Sequence, residues 1–94
     1  MTYENFEIYK TFSASTAHIE ESDFDVLYSN RFCSYPSDYG IKFYLHDEIL
    51  KDVEDINCSE GLSLLIIFAI SKGCHYIDLD SDGPIYDGFP SYDW

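Results

Sequence analysis

The chain has 94 residues and sets 18 Asp and Glu against 5 Lys and Arg, a formal net charge of −13. Yet 46% of its residues are hydrophobic and 18% aromatic, which excludes an acidic disordered tail and supplies the core of one domain, residues 1–94. The same charge disfavours direct binding of nucleic acid or of an acidic membrane surface, so basic surfaces are the expected partners.

No signal-peptide pattern opens the sequence, and the longest apolar stretch, Leu62 to Ile70, is broken by Ser63. A membrane span needs about 18 apolar residues, so none is expected, and a cytoplasmic protein is. Cys33, Cys58 and Cys74 are odd in number and widely spaced. They read as free thiols rather than a disulfide framework.

Taken in chain order, Asn5 to Phe12 sets Phe6 and Ile8 against Glu7 and Tyr9 and predicts a half-buried strand, with a turn over Ser13 to Thr16. A helix follows from a cap at or just before Ser22 to about Asn30. Phe24, Leu27 and Tyr28 share its spacing, while Glu20, Glu21 and Asp23 favour the positive end of its dipole. Pro36 to Gly40 reads as a loop. Gly40 to His46 reads as a strand with Ile41, Phe43 and Leu45 inward. The acidic stretch Asp47 to Asn57 fits a short helix or a strand plus turn.

Ser59 then caps a helix whose body is LSLLIIFAIS, and Gly73 stands where a left-handed terminus belongs. This helix is apolar nearly all round and is expected to be covered on more than one side. Cys74 to Asp80 is a strand with Ile77 and Leu79 inward, and Ser81 to Trp94 is a tail of turns with aromatic anchors. The order β-α-β-(acidic segment)-α-β-tail predicts a small two-layer α+β domain, a short and mainly antiparallel sheet with two helices on one face. Glu7, Tyr9, Lys42, Tyr44, Tyr76 and Asp78 would share the other face.

Catalytic and metal motifs are weak. Asp78-Leu79-Asp80-Ser81-Asp82-Gly83 matches the first half of a calcium loop, but Pro84 and Phe89 stand at its seventh and twelfth positions. A calcium-binding domain using Asp78 to Asp82 is therefore only an alternative, and no cofactor is expected. His18, His46 and His75 lack the pair spacing of a zinc site with the three cysteines. Gly-rich phosphate loops are missing, and nothing predicts an enzyme.

The acids fall in three sets: Glu20, Glu21, Asp23 and Asp25; Asp47, Glu48, Asp52, Glu54 and Asp55; Asp78, Asp80 and Asp82. A DNA duplex carries one charge per roughly 1.7 Å of axis, and carboxylates on a rigid domain can imitate that array for a protein built to grip it. All three sets are expected as partner contacts.

Two stretches are more distinctive than their physics requires. They are Ser15-Thr16-Ala17-His18-Ile19, and Gly73-Cys74-x-Tyr76-x-Asp78-x-Asp80-x-Asp82-Gly83-Pro84 closing with Gly88-Phe89-Pro90-x-Tyr92-Asp93-Trp94. Both resemble the signature of a family of small uncharacterised proteins encoded on plasmids, phages and other bacterial mobile elements. The resemblance assigns no catalytic residue. It implies a role like that of anti-restriction and anti-CRISPR proteins, with His18, Gly83, Pro84, Tyr92 and Trp94 structural. The expected function is an acidic anti-defence protein that blocks the nucleic-acid-binding surface of a subunit of a bacterial defence complex by DNA mimicry. A homodimeric interaction module is the other alternative.

Overall fold

The computed structural model describes residues 8–29 and 31–94. Its elements are β1 (Thr11–Ser15), α1 (Asp23–Leu27), β2 (Ser34–Ser37), β3 (Gly40–Tyr44), α2 (Ile49–Ile56), α3 (Glu60–Ser71) and β4 (Tyr76–Asp80), with a 3-10 turn at Thr16–His18. The four strands form one sheet in the order β1-β4-β3-β2. β4 pairs antiparallel with β3, and β3 with β2, while β1 runs parallel to β4. The fold is thus α+β, with a mixed sheet and, among the described residues, three helices in place of the two expected beside the acidic segment.

The first strand lies later than its predicted span. Asn5, Phe6 and Glu7 are outside the described residues, and the strand runs through Ser13 to Ser15, where a turn was expected. Ser13 and Ser15 are turn formers by type. Here Ala14 is fully buried between them, and the Ser15 N–H donates to the Pro84 carbonyl at 2.9 Å. Segment 36–40 is a second departure, because it belongs to a β2–β3 hairpin turning at Asp38-Tyr39. Pro36 is tolerated since β2 is an edge strand and, in this register, a proline nitrogen faces outward. The first helix is shorter than expected, ending at Leu27.

The acidic segment resolves to helix α2, which stops at Asn57 in the left-handed region, φ 68°. α3 has the termini its sequence specifies. The Ser59 hydroxyl accepts the Leu62 N–H at 3.2 Å, and Gly73 adopts φ 74°. The N–H groups of Gly73 and Cys74 return to the carbonyls of Ile70 and Ala69 at 3.0 and 2.9 Å, the two bonds of a Schellman terminus.

Ile41, Phe43, Ile77 and Leu79 point from the sheet into the same core as Ile49 and Val53 of α2 and Leu62, Leu65, Ile66 and Ala69 of α3. As expected, α3 is covered from more than one side, by α2, β4 and the Thr16–His18 turn and, at Phe68, by the rings of Phe12 and Phe89. Ile67, Phe68 and Ile70 remain 50%, 37% and 43% exposed. On the far face of the sheet, Lys42, Tyr44, Tyr76 and Asp78 stand together as predicted, with the Lys42 ammonium 4.7 Å from the Tyr76 ring centre. Tyr9 joins them edge-on to Tyr76, ring centres 5.8 Å apart. Among the described residues, no helix is long and apolar enough to cross a membrane.

Candidate partner-binding site

The tail, residues 81–94, determines what stands at one end of the domain, and His18 is its fastening. This imidazole is fully buried. Its Nε2 accepts the Tyr86 backbone N–H at 2.9 Å, which requires the proton on Nδ1, and Nδ1 donates to the Pro90 carbonyl at 2.7 Å. Further on, the Tyr92 N–H reaches the Ala17 carbonyl at 2.8 Å, and the Tyr92 hydroxyl accepts the Gly61 N–H at 3.1 Å. A Cβ at Gly61 would collide with the His18 carbonyl, so glycine is what lets α3 approach this turn. Trp94 finally donates its indole N–H to the Ile19 carbonyl at 2.9 Å. The indole is fixed at one corner and still 56% exposed.

The first acidic set divides at this end. Asp23 was expected to contact a partner, but it is 1% exposed and does a structural job instead. Its carboxylate accepts the Glu20 N–H at 2.9 Å and the Ser59 N–H at 3.0 Å, and it also accepts the Ser59 hydroxyl. That ties the start of α1 to the cap of α3. These three donors replace the water that burial takes from the carboxylate. Glu20, Glu21 and Asp25 do face solvent.

Glu21 and Asp25 line a surface cleft of about 650 Å³ together with Ser22, Phe24, Tyr28, Ser37, Asp38 and Trp94. Phe24 meets Trp94 edge-on with ring centres 5.7 Å apart and lies tilted by 30° to Tyr28 at 6.1 Å, so the floor of the cleft is aromatic. A neighbouring hollow adds Glu20 and Asp93 on the other side of Trp94. Asp38 and Asp93 were missed by sequence reasoning because each lies alone in a turn or tail. Only the pairing of the β2–β3 hairpin and the run of the tail bring them to α1.

The second set behaves differently. Asp47, Glu48, Glu54 and Asp55 are exposed, but Asp52 is half-buried and accepts from His46 Nε2 at 2.7 Å. The Arg31 guanidinium lies 3.9 Å from Asp52 and 3.8 Å from Asp55. The third set is dispersed. Asp78 sits on the open sheet face opposite Lys42. Asp80 accepts the Asp82 N–H at 2.8 Å in a local turn, and Asp82 points to solvent. Among the described residues no three His, Cys, Asp or Glu side chains converge as metal ligands.

Burial pushes the Cys58 thiol up from its ordinary value, and the Asp23 charge pushes it further against the bond to Ser63. A protonated thiol is a poor nucleophile.

Fold and site together define a small two-layer α+β domain with an acidic, aromatic end built by α1, the β2–β3 turn and a strapped tail. The chain belongs to a family of unknown function, DUF5983, whose C-terminal domain it matches over residues 11–94. The match begins at the first residue of β1 and includes both distinctive stretches. No curated protein and no solved structure matches the chain.

Proposed function

We propose that this protein is an acidic, non-catalytic inhibitor that acts in the cytoplasm of a bacterial host. It occupies the nucleic-acid-binding surface of a defence complex, of the restriction or CRISPR kind, by DNA mimicry. One observation carries the reading. Glu20, Glu21, Asp25, Asp38 and Asp93 gather at one rigid end, and among the described residues none of them is ion-paired. Such a surface attracts a Lys- and Arg-lined groove for the reason a phosphate backbone does, through release of counter-ions and steering at long range. The anti-defence setting rests on the resemblance of the Ser15–Ile19 stretch and the tail to proteins of mobile elements.

The test is competition. The protein should displace a DNA or RNA duplex from its target complex, and its affinity should fall by roughly 100-fold or more between about 50 and 200 mM salt. The variant Glu20→Gln, Glu21→Gln, Asp25→Asn, Asp38→Asn should retain the fold and lose the competition. Undiminished inhibition by that variant would remove the acidic end as the contact. The exposed Ile67 and Ile70 of α3 favour a second reading, a homodimeric interaction module.

A further inference from the structure

The cleft beside Trp94 holds more than negative charge. Its floor is the three rings Phe24, Tyr28 and Trp94, and its rim is Glu21, Asp25 and Asp38. Aromatic rings braced on one another, with acids around them, fit a flat cation better than a row of phosphate-like charges would require. A guanidinium stacks on an aromatic face and offers forked N–H donors to several carboxylates at once, whereas an ammonium is a strongly hydrated point.

Among the described residues no cation answers this charge. Arg31 is held at α2, Lys10 donates to the Lys72 carbonyl, Lys42 lies over Tyr76, Lys72 lies near the Phe68 ring, and Lys51 is on α2. Those are its five Lys and Arg. The rings, meanwhile, are positioned before any partner arrives. Trp94 is tied to the Ile19 carbonyl at 2.9 Å and braced on Phe24, so little ordering is required on binding.

We infer that this cleft is an arginine-binding groove, which takes the guanidinium of an arginine on a basic protein partner between the Trp94 side of the floor and the Asp25 and Asp38 carboxylates. The inference rests on the reading of the acidic end as a partner-facing surface and names the anchor of that contact. It adds a component that charge mimicry lacks, a stacking contact on aromatic faces that salt screens less than it screens charge.

Trp94 is the chain's single tryptophan, so its emission reports on this cleft. Titration of the intact protein with N-acetyl-arginine amide should shift that emission and saturate at millimolar concentration. N-acetyl-citrulline amide, nearly the same shape without the charge, should give no shift. The double variant Asp25→Asn, Asp38→Asn should weaken the arginine response by about fivefold or more, while its melting temperature is equal or higher. Equal responses to arginine and citrulline, an undiminished response in the double variant, or no response to arginine would each overturn the groove. The titration needs no defence complex, so the two readings fail separately. Arginine binding without competition against nucleic acid keeps the groove and sinks the anti-defence role; competition without arginine binding sinks the groove alone.

Discussion

Two acidic regions of this chain look alike in composition and differ in how their charge is answered. Around α2, Arg31 reaches Asp52 and Asp55, and His46 holds Asp52 at 2.7 Å. At the end formed by α1, the hairpin turn and the tail, the acids surround aromatic rings and find no cation among the described residues. Density of Asp and Glu along the sequence therefore does not locate a binding surface. What does is whether the fold delivers a cation to the same place. The fold delivers Arg31 to α2 and leaves the Trp94 end open.

The strongest way to break that contrast is to remove the one acid at the open end that faces inward. Asp23→Ala would strip three hydrogen bonds from a buried carboxylate site and leave the Glu20 and Ser59 N–H groups without their acceptor. A loss of about 3 kcal/mol of unfolding free energy is expected, read by urea denaturation. Asp25, two residues on in the same short helix, should show no such cost. If Asp23→Ala were neutral, the inward acid would be another surface charge, and the distinction between the two faces of α1 would collapse.

The next test loosens the open end from the tail side. His18→Phe keeps a ring in the core but leaves the Tyr86 N–H and the Pro90 carbonyl unpaired. We expect a loss of about 2 kcal/mol, with Trp94 emission moving to the red at lower denaturant than the helix signal is lost. The α2 region makes no contact with this strap through His18 and should keep its protection against amide exchange. Coincident loss of both signals would mean that the tail and the domain unfold as one unit.

Sequence reasoning reached the parts of this arrangement that local chemistry controls. Ser59 and Gly73 bound α3 because a hydroxyl before an apolar run and a glycine after it have specific local jobs, and alternation placed Ile41, Phe43, Ile77 and Leu79 inward. It missed β2 because Pro36 and the serines around it resemble a loop until a neighbouring strand pairs with them. It set β1 too early because Ser13 and Ser15 become strand residues only through β4 and the tail. The site was legible as three runs of acids but not as a place. Asp23 and Asp25 are indistinguishable by type, and only Ser59, far along the chain, draws one of them inside. Asp38, Asp93 and the Trp94 ring meet α1 through tertiary contacts that no spacing rule encodes.

The smallest predicted effect is the most direct measure of the contrast, because the two regions should respond with opposite sign. Asp52→Asn removes the negative charge that faces His46 and Arg31 at a half-buried position, and should cost about 0.5–1 kcal/mol. Asp25→Asn with Asp38→Asn removes two charges that repel their neighbours and, among the described residues, have no cation to lose, and should raise stability by a few tenths, about 0.3–0.5 kcal/mol. Added salt should shrink both differences, more so at the exposed cleft. Urea midpoints at low and high salt would measure the pair. Equal signs would mean that the cleft's charge is answered within the chain, and a surface already neutralised has no electrostatic reason to seek a basic partner.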